Sequence, residues 1–339
     1  MTDATIPAIA TTIPALLFSA ARHHGERAAL EEPGRRISYT ELPGEALAVT
    51  RALIAEGIQP GDKVAIWAPN CIDWVLAALG IHCAGAVMVP INTRMKGAEV
   101  ADILARSHAR LLFCVGNFLG VDYPAMLAPV RPACLGKIVV LGDWQEAWQG
   151  GQPWAAFLAG GAGVSPAEAR IRAEAVRPDD IADLMFTSGT TGKPKGVMSA
   201  HAPTLRAFAE YVRIIGLQAG DRYLVVNPFF HSFGYKAGWI TCLIAGATIL
   251  PHPVFDAEAV FQRIEADRIT ALPGPPTLYL SMLAHPRLAE ADLSSLRIAV
   301  TGASTIPPIL IERMRRELGI RVVTTAYGLT ECGGLATLC

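Results

Sequence analysis

The chain has 339 residues, room for about two domains, and 52% of them are hydrophobic, which excludes general disorder. Its 29 basic and 30 acidic residues leave a net charge of −1, so neither nucleic acid nor an anionic membrane is expected as the main partner. With 7% aromatic residues it also makes a poor stacking platform for single strands.

The first ten residues contain no lysine or arginine, so a secretory signal lacks its charged start. Seven scattered cysteines (Cys71, Cys83, Cys114, Cys134, Cys242, Cys332 and Cys339) show no Cys-x-x-Cys spacing, which argues against a zinc site and for a reduced, cytoplasmic chain. The apolar stretch from Trp74 to Ile91 contains Gly80, His82, Gly85 and Pro90. It divides into a helix (73–81) and a strand (86–91) better than it spans a membrane.

In chain order, β-branched runs predict strands at 63–67, 86–92, 111–115, 137–141, 181–186, 223–226, 247–250, 298–301 and 322–325. Amphipathic segments lie between them. One is 257–267, where Val260, Phe261 and Ile264 share a face and Asp256 is placed as N-cap; another is 308–318, with prolines at its start. Alternation of this kind predicts an α/β fold with mainly parallel sheets covered by helices. The glycine-rich stretch 142–178 reads as a connector between a first lobe (1–178) and a second (179–339). Gly161 to Gly163 does not complete a dinucleotide fingerprint. The apolar run ending at Cys339 suggests a fragment of a longer chain.

The strongest chemical signal is Thr187-Ser-Gly-Thr-Thr-Gly-Lys-Pro-Lys-Gly196, placed after the 181–186 strand. Gly189, Gly192 and Gly196 let backbone amides approach an anion, while Thr187, Ser188, Thr190 and Thr191 add hydroxyl donors. Lys193 and Lys195 neutralise charge, so the segment suits the phosphates of ATP. A Walker loop is excluded because Thr187 stands where it needs glycine, and Pro194 where it needs Ser or Thr.

With Asn227-Pro-Phe-Phe-His231-Ser-Phe-Gly234 and Tyr327-Gly-Leu-Thr-Glu331 following in order, the chain resembles the adenylate-forming superfamily of acyl-CoA synthetases, firefly luciferase and peptide-synthetase adenylation domains. The resemblance implies ATP binding by Thr187, Ser188, Gly189, Thr190, Thr191, Gly192, Lys195, Ala303, Ser304, Tyr327, Gly328 and Thr330. It implies Mg2+ held by Glu331 and Thr187, acyl contacts from His231, Tyr235, Gly302 and Ala303, and catalytic roles for Lys195, Thr330, Glu331 and His231. Glutamate suits a hard cation that shares oxygen ligands with phosphates. Read alone, Glu331 would be a solvated loop carboxylate, Tyr327 a core tyrosine, His231 a structural histidine and 302–304 a plain turn.

The implied reaction joins a carboxylic acid to ATP as an acyl-adenylate and then transfers the acyl group to coenzyme A. Amino-acid-activating relatives place an aspartate in the histidine segment. Phe229-Phe230-His231-Ser232 carries none, so the expected acid is plain and apolar. That segment and Leu272-Pro-Gly-Pro-Pro-Thr277 are similar to bacterial acyl-CoA ligases acting on the propanoate left on the steroid C and D rings. A non-catalytic nucleotide- or acyl-binding module, a fatty-acid or aromatic-acid ligase and a luciferase-like oxygenase stay open, as does a homodimer. Family members continue to a ribose-binding aspartate, a hinge and a small domain with a catalytic lysine. None follows Cys339, so little complete ligase activity is expected of these 339 residues.

Overall fold

The computed structural model describes residues 10–142, 150–187 and 194–339. A seven-stranded sheet runs in the spatial order Lys195–Ala200, Ile181–Thr187, Val87–Pro90, Lys63–Trp67, Ala109–Val115, Lys137–Leu141, Gln152–Pro153. All of its pairings are parallel except the first. The second sheet joins Arg222–Val225, Thr248–Pro251, Ala28–Glu32 and Arg35–Ser38. Ala271 bridges Tyr223 on one side and Ile298 on the other, linking it to Ile298–Gly302, Val322–Tyr327 and Thr337–Leu338. The fold is α/β, as expected.

Strands at Lys63–Trp67 and Lys137–Leu141 and the helix Ala257–Asp267 coincide with their sequence expectations, and the Asp256 side chain caps that helix through the Ala259 amide. The stretch from Trp74 to Ile91 does divide into a helix, Ile72–Cys83, and a strand, Val87–Pro90. No helix among the described residues is long and apolar enough to cross a membrane.

The sheets interleave instead of dividing the chain at residues 178–179. Strands on both sides of that point enter the seven-stranded sheet, and the Ala28–Ser38 hairpin pairs with the strand at Thr248–Pro251. The described part of the presumed connector is packed cover. Trp154 and Phe157 are buried, and Arg51 donates to the carbonyls of Val164 and Ala162. A Cβ on Gly161 would lie 2.6 Å from the Ala52 nitrogen, so glycine is what lets this turn press onto the Leu42–Ala55 helix.

Two histidines, His82 and His201, are buried with rings 5.5 Å apart. His201 Nδ1 accepts from the Ile13 amide at 3.3 Å, which requires a deprotonated nitrogen. Burial is the leading cause that lowers both pKa values, His201 to about 4. The neighbouring His201 and Lys236 charges push His82 further down, while Asp180 partly opposes the shift at His201. The unfolded chain therefore binds more protons than the folded one between about pH 4 and the ordinary histidine value of 6.5. This contribution to stability is complete above that window and is lost as pH falls through it, at up to about 1.4 kcal/mol per pH unit for each proton. Urea unfolding across this range checks it. An H201Q variant, which keeps an acceptor and does not titrate, is expected to show a shallower slope.

Candidate active-site cleft

The strand Ile181–Thr187 ends in antiparallel register with Lys195, so residues 187 and 195 face each other at the base of the phosphate-loop segment. Ser188, Gly189, Thr190, Thr191, Gly192 and Lys193 lie outside the described residues. Thr187 Oγ1 donates to Glu331 Oε1 at 3.3 Å, which joins the first motif to the last.

Glu331 sits on the short turn Thr330–Cys332, after the strand Val322–Tyr327. That strand runs parallel to Ile298–Gly302, with Gly302 opposite Ala326. A Cβ on Gly302 would stand 2.4 Å from the Ala326 carbonyl oxygen, and one on Gly328 2.2 Å from that of Gly334. Both positions need a residue without a side chain. Ala303 follows at φ +65°, a left-handed conformation that costs an L-residue about 1 kcal/mol or more and concentrates at functional sites.

His231 is held by a buried asparagine that sequence reading passed over. Asn70 Nδ2 donates to the carbonyls of Val225 and Asn227, and its Oδ1 accepts from the Phe229 amide at 2.7 Å. Asn227 in turn donates to the Pro273 carbonyl. The histidine segment is thereby tied to both neighbouring loops. The His231 ring is accessible from the cleft yet crowded by protein, and that desolvation lowers its pKa, favouring the neutral imidazole.

These elements enclose one cleft of about 440 Å³. Thr187, His231, Gly302, Ala303, Gly328, Thr330 and Glu331 all line it. Apolar side chains, including Met185, Phe186, Phe230 and Phe208, also line it. Phe208 and Tyr211 come from the helix His201–Ile215, and neither was expected to contribute. The apolar period of Leu205, Phe208 and Val212 is the signal that marks this helix.

Three expected residues stand apart from the lining. Lys195 is exposed at its strand end, Ser304 is exposed beyond Ala303, and Tyr327 is 61% exposed. A fourth needs correction. Tyr235 opens the π-helix Tyr235–Ile240, is completely buried, and places its hydroxyl 3.2 Å from His82 Nε2. It is a core residue because the π-helix turns its ring away from the cleft toward the Ile72–Cys83 helix.

The family model for AMP-binding enzymes matches residues 17–339. The chain belongs to the AMP-binding enzyme family. This AMP-binding chain is 49% identical over 334 residues to a 3-[(3aS,4S,7aS)-7a-methyl-1,5-dioxo-octahydro-1H-inden-4-yl]propanoyl:CoA ligase of Mycobacterium tuberculosis. It is 45% identical to the ligase of the same name from Rhodococcus jostii. Each alignment covers 97% of this chain and 64% of the relative, so the chain spans about two thirds of their length at most. Among solved structures, the anthranilate CoA ligase AuaEII in complex with anthranoyl-AMP superposes with a TM-score of 0.85 at 27% identity, over 98% of this chain and 61% of that one. The inhibitor-bound N-terminal domain of FACL13 from Mycobacterium tuberculosis gives 0.78 at 28%, over 96% and 78% respectively.

Proposed function

We propose that this chain forms the ATP- and acid-binding body of an AMP-forming acid–thiol ligase that activates a hydrophobic carboxylic acid and passes it to coenzyme A in the cytoplasm. The observation that carries the reading is the Thr187–Glu331 contact in a cleft that apolar side chains also line. The base of the anion-binding segment, a carboxylate and apolar side chains share one space, which is what a triphosphate and an apolar acid need in order to meet.

A carboxylate is a poor acyl donor because its leaving group would be oxide. In the proposed first step a carboxylate oxygen attacks the α-phosphorus of ATP, and the bond to the bridging oxygen breaks. Acyl-adenylate and pyrophosphate result. The thiolate of coenzyme A then adds to the acyl carbon and expels AMP. The protein contributes positioning and charge neutralisation.

In this reading the segment from Thr187 through Ser188, Gly189, Thr190, Thr191 and Gly192 to Lys195 cradles the phosphates. Thr330 meets the α-phosphate, and Tyr327 and Gly328 flank the adenine beside Ala303 and Ser304. His231 and Gly302 border the carboxylate, where a neutral imidazole can give or accept one hydrogen bond. The adjacent oxygens of Glu331 and Thr187 suit Mg2+, a hard ion that takes one or two carboxylates plus phosphate oxygens and would neutralise phosphate charge when bound.

The histidine segment presents no carboxylate to pair with a substrate ammonium, and the apolar lining favours a ring system over a charged body. Together with the acyl group in the names of the two relatives, this supports a bicyclic dione carrying a propanoate arm as the acid. In the protein that carries this chain, the bicyclic propanoate is expected to give kcat/KM at least about tenfold above octanoate or benzoate, a discrimination typical of a shaped apolar pocket. Preference for either simpler acid overturns the steroid assignment. Failure of every acid to release pyrophosphate overturns the ligase itself.

A further inference from the structure

One polar atom in the apolar part of the cleft is unaccounted for by the reading above. Tyr211 lines the cleft from the helix His201–Ile215, one turn beyond Phe208, whose ring lies 5.9 Å from its own. Its side chain is completely buried, and its hydroxyl has no hydrogen-bond partner of good geometry among the described residues. A neighbouring polar group is the Tyr223 hydroxyl, which donates to the carbonyl of Ala237. Ala237, like Tyr211, lines the cleft.

A buried hydroxyl left unpaired costs about 1–3 kcal/mol, and native interiors pair nearly all such groups. The cleft residues Phe208, Met185 and Ala237 have no side chain able to accept, and the Tyr223 oxygen, which could, is not aligned with the Tyr211 hydroxyl. Tyr211 is also a rigid anchor, with few torsions to freeze when something binds. The partner is therefore expected to arrive with the ligand.

We propose that Tyr211 is a specificity-determining residue whose hydroxyl donates to a carbonyl oxygen on the ring body of the acid. This rests on the ligase reading and sharpens it. The pocket selects a ring acid bearing a hydrogen-bond acceptor over an equally apolar ring acid without one. A hydrocarbon acid of the same shape would leave the phenol stranded, and a site built to bond a polar group rejects analogues that lack it.

The test uses two non-hydrolysable acyl-sulfamoyl adenosines, identical except that one ring ketone is replaced by a methylene, titrated calorimetrically into the chain. The unaltered chain is expected to bind the ketone form about tenfold more tightly. Y211F is expected to shrink that preference to about twofold or less while its affinity for the methylene form stays unchanged, a split that general damage to the pocket does not produce. Equal affinity of the unaltered chain for both mimics, or an undiminished preference in Y211F, overturns the proposal and leaves the ligase reading intact. Binding of neither mimic overturns both.

Should Y211F fail to fold, the infrared stretch of a 13C-labelled ring ketone bound to the unaltered chain decides. A shift below its frequency in an apolar solvent supports the hydrogen bond, and an unshifted band overturns it.

Discussion

In the protein that carries this chain, replacing Glu331 with glutamine is expected to lower pyrophosphate release by about two orders of magnitude while leaving the folded state intact. The two halves of this expectation have separate causes. Glu331 is exposed, on a three-residue turn, and its hydrogen bond in the fold comes from Thr187 Oγ1. Glutamine keeps an oxygen at the same reach, so that bond survives, and an exposed substitution of this kind changes stability by about 0.5 kcal/mol or less. What disappears is the negative charge beside the phosphate-binding segment. A hard divalent cation bound there would lose its carboxylate ligand, and with it the positive charge that would offset the charge developing on the departing pyrophosphate. ATP-dependent pyrophosphate release, followed across a magnesium titration, measures this. The variant is expected to need more magnesium for half-maximal rate, and E331D to recover part of the loss. A rate within about threefold of the parent at every magnesium concentration, with the thermal midpoint unchanged, would remove Glu331 from the proposed machinery.

What the sequence disclosed of this molecule was its local content. The strands at Lys63–Trp67 and Lys137–Leu141 are short β-branched runs, and the helix Ala257–Asp267 carries both its apolar stripe and its Asp256 cap within a dozen residues. The motif segments were legible for the same reason: each is contiguous, and its glycines, hydroxyls and charges state their chemistry in place. Thr187, His231, Thr330 and Glu331 do meet in one cleft.

Pairings between distant segments were not legible. Nothing near Leu30 announces Ile249 as its neighbour in the sheet, and nothing at residue 178 shows that the next two strands return to the first sheet. Tyr235 illustrates the cost of arguing from closeness in sequence. Four residues after His231 it is expected in the acyl pocket, but as the first residue of a π-helix it is buried against His82 in the core. Asn70 is the converse case, an unremarked side chain after a strand that holds the histidine segment through three backbone partners. Satisfying buried carbonyls and amides is a tertiary requirement, and no local pattern records it.

The same requirement governs the other large expected effect, at the buried ion pair of Lys236 and Asp183. Both side chains are wholly enclosed, with Nζ 3.2 Å from Oδ2 and a further hydrogen bond from Nζ to Ser199 Oγ at 2.8 Å. Burial raises the pKa of Asp183, opposed chiefly by the charge and hydrogen bond of Lys236, so each ion depends on the other for its place in the core. Asp183 lies on the strand that ends at Thr187, and Lys236 on the π-helix that follows His231. The pair thus clamps the phosphate side of the cleft to its acyl side.

Removing one member strands the other charge in a dry site. K236M and D183L are each expected to lower the unfolding free energy by about 3–5 kcal/mol. Replacing both, as in D183L/K236M, removes the two desolvation penalties together and is expected to restore most of that loss, giving strongly non-additive singles. Urea unfolding of the four proteins closes the cycle. If either single variant costs less than about 1 kcal/mol, the ions are not the clamp, and the strand and π-helix are held by apolar packing around Tyr235 and Trp239 instead.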